Sequence, residues 1–288
     1  KEEEKRMYYC NPINIPYRYQ YVKKDDRAVI YREAADPSLV VFHGKYYMFP
    51  SMTKGYLVSE DMVNWQVKKL QGLPVYDYAP DVRVMGEYLY FSASRRDANC
   101  DFYRTKDPES GVFEKIEGTF DFWDPNLFVD DDGRAYQFYS SENNETMYIS
   151  LLTDDYLKPS GRFTRNFVKE SREAPAVFKY NGKYYMLSSG CTGWDPNVAE
   201  IAIADSIMGT WKTIGNPCTG PDADKTFYAQ STYVQPVIGK KDAYIAMFDR
   251  WKKKDLEDSR YVWLPVLVKD GKITIPWHEK WTLSIFDK

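Results

Sequence analysis

The chain is poor in the residues that most often announce a metal or redox centre. It has two histidines, His43 and His278, and four cysteines, Cys10, Cys100, Cys191 and Cys218, in 288 residues. The cysteines stand far apart with no C-x-x-C pair. That excludes zinc-ribbon and dense disulfide patterns and assigns no redox compartment. His43 precedes Gly44 and reads as a turn residue. No run of eighteen apolar residues occurs, so no transmembrane helix is expected. The opening KEEEKR shows no apolar signal-peptide core, as a trimmed mature chain would not. Charge of one sign is lacking too. The formal net charge is −3, which gives no electrostatic case for nucleic acid or an anionic membrane. No linker rich in Pro, Gly or Ser interrupts the chain, so a single domain over 1–288 is expected.

Aromatics, by contrast, are plentiful: 17% of residues, with 25 Tyr and 8 Trp. Such residues favour strands, and their flat faces also stack on sugars. The apolar share of 43% is enough for a full core. The chain also repeats itself. Residues 36–49 read DPSLVVFHGKYYMF, 79–91 APDVRVMGEYLYF, 124–138 DPNLFVDDDGRAYQF and 174–187 APAVFKYNGKYYML, with a weaker copy, QSTYVQPVIGKKDAYIAMF, from 230. Each unit is an apolar strand, a Gly-containing turn and an aromatic strand. Asn181-Gly182 is the strongest hairpin signal, because both turn positions need positive φ. The prolines fall at 37, 80, 125 and 175, with Ser231 aligned to them, in steps of 43, 45, 50 and 56 residues. A second signature follows each of the first four hairpins: SEDMVNW (59–65), TKDPESGVF (105–113), TDDYL (153–157) and ADSIMGTW (204–211). It reads as a turn into an outer strand. A strand-built period of this size predicts an all-β, five-bladed β-propeller with four-stranded antiparallel blades around a central channel. The run Asp130-Asp131-Asp132-Gly133 lacks the ligand spacing of a calcium loop and reads as a solvated turn.

Proline cannot donate to a ladder, so it belongs at a strand start. In a propeller the innermost strands start at one channel mouth, and equivalent residues form a ring there. Reading that ring, blades one, three and four each bring one carboxyl group: Asp36, Asp124 and Glu173. Blade two brings Tyr78 and Asp81, and blade five brings Gln230. Convergent carboxylates raise at least one pKa among them. Glycoside hydrolysis needs that arrangement, with one carboxylic acid to protonate the leaving oxygen and one carboxylate to act on water or on the anomeric carbon. A metal site is the rival use of three carboxylates.

At these residues the sequence resembles glycoside hydrolase family 43, over roughly 30 to 288. The matching motifs are Asp36-Pro37, Asp124-Pro125-Asn126-Leu127 with Asp131-Asp132-Gly133, Glu173-Ala174-Pro175, and YAPDV at 78–82. The resemblance implies an inverting enzyme. Asp36 would be the base, Asp124 the group that modulates the acid's pKa, and Glu173 the general acid. The back half, SGCTGWDPN (189–197) and DRWKKKDLEDSRYVWLPV (249–266), resembles the exo-β-1,3-galactanase-like branch. There the blade-one Asp is often absent and a blade-five Gln has been assigned the base role. This chain has both Asp36 and Gln230, which favours a conventional Asp base.

The expected activity is therefore an exo-acting α-L-arabinofuranosidase. A β-xylosidase or exo-β-1,3-galactosidase is the alternative, and a non-catalytic carbohydrate-binding propeller is the rival of another class. Arg250 is the candidate for gripping sugar hydroxyls, because its planar fork of donors suits them. Trp123, Trp194 and Trp251 would stack on sugar or fill the core. No cofactor is expected. Some family members hold a channel calcium near a His, but neither His43 nor His278 suits that role. The expected partner is an oligosaccharide or polysaccharide, the expected state a monomer, and the expected location secreted or periplasmic, the last inferred from substrate class alone.

Overall fold

The computed structural model describes residues 8–11, 21–24, 27–30, 38–50, 55–69, 80–95, 98–120, 126–156, 158–193, 195–250 and 260–287. Five largely antiparallel sheets follow one another along the chain, one per repeat. Blade one is Ser38–Phe42, Lys45–Phe49, Gly55–Ser59 and Gln66–Lys69. Blade two is Pro80–Met85, Tyr88–Arg95, Ala98–Thr105 and Glu114–Phe120. Blade three is Asn126–Val129, Ala135–Ser141, Thr146–Leu152 and Pro159–Asn166. Blade four is Arg172–Tyr180, Lys183–Gly190, Glu200–Ala204 and Lys212–Gly215. Blade five is Gln230–Pro236, Tyr244–Arg250, Arg260–Lys269 and Lys272–Pro276. The fold is a five-bladed β-propeller, as expected. Blade five departs from the four-strand rule: Cys218–Thr219 adds a fifth strand, parallel to Lys272–Pro276.

The turn signature has a repeated physical basis. In blade one the Ser59 hydroxyl accepts from the Asp61 and Met62 N–H, and Asp61 Oδ1 accepts from the N–H of Val63 and Asn64. In blade two Thr105 caps the Asp107 N–H, and Asp107 caps that of Glu109. Trp65 and Trp211, which close two of the turns, each donate the indole N–H to a backbone carbonyl, of Met62 and Ile207. Hydroxyl, carboxylate and indole thus satisfy backbone groups that leave the ladder.

The chain divides into two compact units: Lys1–Asp121 with Trp251–Trp263 and His278–Lys288, and Phe122–Arg250 with Leu264–Trp277. In the first, Phe42, Tyr47, Phe49, Tyr56 and Val58 of blade one pack with Val82, Leu89, Phe91, Tyr103 and Phe113. Each such side chain contributes about 1.5–3 kcal/mol on burial. His43 sits in the hairpin turn of blade one, its ring stacked on Phe42 with centroids 3.9 Å apart.

Tyr9–Cys10 pairs antiparallel with Lys280–Trp281 and ties the two ends of this unit. Asn11 completes the tie. Its Nδ2 donates to the carbonyls of Trp263 (2.8 Å) and His278 (2.9 Å), and its Oδ1 accepts from the Trp263 N–H at 2.8 Å. Trp263 is fully buried, so its amide would find no water in exchange. Asn11→Ala is therefore expected to lose about 2–3 kcal/mol of stability. Denaturant unfolding checks this, and a loss under about 0.5 kcal/mol would show the tie to be idle.

In the second unit Tyr136, Phe138, Met147 and Ile149 of blade three pack with Val177, Tyr184, Met186, Ala202 and Trp211 of blade four. The run Asp130–Gly133 forms a solvated turn, as expected, with Asp131, Asp132 and Gly133 exposed; Asp130 alone is sheltered. Tyr184 Oη donates to Asp130, and Lys179 Nζ lies 2.8 Å from Asp131 Oδ2. Lys179 and Tyr184 face each other across the blade-four hairpin, so the acidic turn is docked on that hairpin. Among the described residues no helix is long and apolar enough to cross a membrane. Nor, among them, does any group of three or more His, Cys, Asp or Glu gather as a metal site.

Candidate active site

Glu173 lies in the strand Arg172–Tyr180, opposite Ser189. The ladder is regular from Tyr180↔Lys183 to Ala176↔Leu187, then slips between Ala176 and Glu173. Pro175, which has no N–H to give, lies in that slip. Ala174 takes φ +51°, although a residue before proline ordinarily stays extended. A bulge of this kind bends the strand and re-aims the side chain beside it. The turned-out Ala174 carbonyl accepts from Ser231 Oγ of blade five at 2.8 Å. Left-handed backbone costs a Cβ-bearing residue about 1–2 kcal/mol. Ala174→Gly is expected to match or exceed the parent in stability, whereas Ala174→Val should lose both stability and activity. Equal behaviour of the two variants in a melt and an assay would contradict the bulge's role.

Blade five supplies the partner of Glu173. Gln230 opens the strand Gln230–Pro236, and its Nε2 lies 2.9 Å from Glu173 Oε1 and 2.7 Å from Ser189 Oγ. Both hydrogens of the carboxamide are thereby used. This orientation, nitrogen toward the carboxylate, is the one that charge demands. Cys191 follows two residues after Ser189. It is exposed as a residue, yet its sulfur is sheltered. Burial first, then the negative charge of Glu173, pushes the thiol up to about 11, so it is protonated at neutral pH.

Arg172, one residue before Glu173, is buried. Its Nε donates to Ser188 Oγ at 3.0 Å and its Nη2 to the Ser188 carbonyl at 2.8 Å, with Glu200 Oε2 3.5 Å from Nε. Burial lowers its pKa, with Glu200 opposing. Asn197 grips Gly190 on both backbone groups, at 2.8 and 2.9 Å. The end of the strand that carries Ser189 is thus fixed by both Arg172 and Asn197.

The approach to Gln230 is unusual. Thr226, Phe227 and Tyr228 are all left-handed, at φ +51°, +55° and +59°. The hairpin at Glu142–Asn144 also has three positive φ values, but two of its residues are asparagine, which tolerates them. A β-branched residue and two aromatics do not. The turn is held from outside: Arg250 gives Nε and Nη2 to the Phe227 carbonyl (3.1 and 2.7 Å), and Thr226 Oγ1 donates to the Asn197 carbonyl at 2.6 Å. Phe227 is buried against Phe248 and Trp277.

The structure therefore joins two of the expected site residues, Glu173 and Gln230. Arg250, expected at sugar hydroxyls, directs two of its donors to backbone. Asp81 is the second residue of the strand Pro80–Met85, opposite Ser92. Asp36, Tyr78, Trp123, Asp124, Trp194 and Trp251 lie outside the described residues. Ser189 and Cys191 did not emerge from the sequence, because their place depends on the ladder slip.

Residues 26–231 match Glycosyl hydrolases family 43. The chain belongs to that family. A solved family 43 β-1,3-galactosidase with galactodeoxynojirimycin bound is 30% identical, with TM-score 0.76, 92% of this chain and 99% of that chain covered. A second family 43 β-1,3-galactosidase is also 30% identical, with TM-score 0.77; 88% of this chain spans 61% of that longer one. An exo-β-1,3-galactanase from Phanerochaete chrysosporium, with β-1,3-galactotriose, shares the fold at 21% identity and TM-score 0.75, covering 96% and 68% of the two chains. No match was found among curated proteins. This family 43 chain is a glycoside hydrolase, and its Glu173–Gln230 pair is the described part of its candidate site.

Proposed function

We propose that this hydrolase is exo-acting and inverting, and that it removes terminal β-1,3-linked galactose from oligosaccharides or polysaccharides. The observation that carries the sugar is the 30% identity, over nearly the full length of both chains, to a β-1,3-galactosidase. The α-L-arabinofuranoside reading rests on Asp36 in its Asp-Pro motif and stands second.

In the proposed mechanism Glu173 protonates the glycosidic oxygen. Asp36 takes a proton from the attacking water, and Asp124 keeps Glu173 protonated until it is needed. Gln230 is assigned as the holder of Glu173 and not as the base. Inverting pairs stand about 6.5–9.5 Å apart so that water fits between them. A carboxamide nitrogen 2.9 Å from the Glu173 carboxylate leaves no such space. The Gln230 N–H fixes the orientation of the Glu173 carboxyl group for proton transfer. Galactan and arabinan fragments are met outside the cytoplasm, so we place the action there.

Hydrolysis of 4-nitrophenyl β-D-galactoside, α-L-arabinofuranoside and β-D-xyloside, together with β-1,3-galactobiose, tests the sugar. Turnover of the two galactosides alone is expected. Turnover of the arabinofuranoside alone would replace this reading with the second one. Inertness toward all, with retained galactan binding, would indicate a lectin.

A further inference from the structure

We propose that Tyr228 forms the platform for the leaving sugar, the unit released when Glu173 protonates the bond. The inference rests on the functional reading above. Tyr228 is 43% exposed, whereas its two left-handed neighbours Thr226 and Phe227 are buried. Its ring does not hang free: the hydroxyl donates to Asp222 Oδ1 at 3.2 Å, and Lys225 Nζ stands 5.5 Å from the ring centroid. It lies two residues before Gln230, whose Nε2 touches Glu173. Two residues of chain span at most about 7 Å, roughly the reach of one sugar.

A connection alone would be served by glycine or asparagine, which take left-handed backbone without strain. The chain instead keeps a large aromatic there and braces the turn with Arg250, Thr226 and the buried Phe227 ring. Strain held by its surroundings points to a function for what it presents. What is presented is a pinned, half-open phenol ring two residues before the Gln230 that holds the acid. Such a ring offers an apolar face on which a sugar can stack, while its hydroxyl is spent on Asp222.

The test separates the leaving group from the sugar that is attacked. Wild type, Tyr228→Asn and Tyr228→Phe are assayed on β-1,3-galactobiose and on β-galactosyl fluoride, whose leaving group is one atom. Asparagine accepts the left-handed backbone, so the turn is kept and only the ring is lost. For Tyr228→Asn, kcat/KM on galactobiose should fall about 10–100-fold, mainly through KM, with the fluoride within about twofold of wild type. Tyr228→Phe should stay near wild type on both. An equal loss on both substrates would make Tyr228 a support for the turn and overturn the proposal. So would unchanged activity on galactobiose. A wild type inert to both galactosides would instead fail the functional reading, and this inference with it.

Discussion

Glu173→Gln is expected to lose about 10²–10⁴-fold in kcat on β-1,3-galactobiose, and far less on 2,4-dinitrophenyl β-galactoside. A sugar alkoxide is a poor leaving group and departs only as it is protonated. Dinitrophenolate leaves without a proton. The loss should therefore grow with the pKa of the leaving group. The substitution is nearly isosteric, and the new amide oxygen can still accept from Gln230, so the fold should survive. Rates on a series of aryl galactosides check this. An equal loss across the series would remove Glu173 from the acid role.

Gln230 variants give the second large effect. Gln230→Glu sets a second carboxyl group where Nε2 now lies 2.9 Å from Glu173 Oε1. Two carboxylates that close share a proton, and one pKa rises. The general acid must be protonated to act, so a raised pKa keeps it active to higher pH. The alkaline limb of kcat/KM should move upward by about one unit or more. Gln230→Ala removes a donor that favours the ionised carboxylate, so the limb should move the same way. Orientation is also lost, and kcat on galactobiose should fall about 10–100-fold, again more for poor leaving groups. A limb that stays in place in both variants, with losses independent of the leaving group, would assign Gln230 to another step.

The repeats made the blades legible because proline, turn glycines and aromatic strands are local signals. Asn181-Gly182 does form the hairpin turn, with φ +47° and +75°. Pro80 opens its strand as read. Pro175 does not, since blade four begins at Arg172. Counting back from the hairpin turn would set Glu173 against Gly190. The slip at Ala174-Pro175 sets it against Ser189 instead, and with that the partner of Gln230. No local pattern marks such a slip, because Ala174 is not a residue that favours left-handed backbone. The extra strand Cys218–Thr219 and the pairing of Tyr9–Cys10 with Lys280–Trp281 were equally hidden. Each joins short segments far apart in sequence. Arg250 shows the same limit from the other side. A planar fork in a polar run reads as a sugar grip, yet two of its donors brace the turn before Gln230.

The most direct test of the account follows the anomer that wild type releases from β-1,3-galactobiose, by NMR in the first minutes. A single displacement, with Glu173 as acid and water delivered from the opposite face, predicts α-galactose before mutarotation. Release of β-galactose first would require a covalent intermediate and a closer carboxylate pair, and would contradict the mechanism proposed for this site.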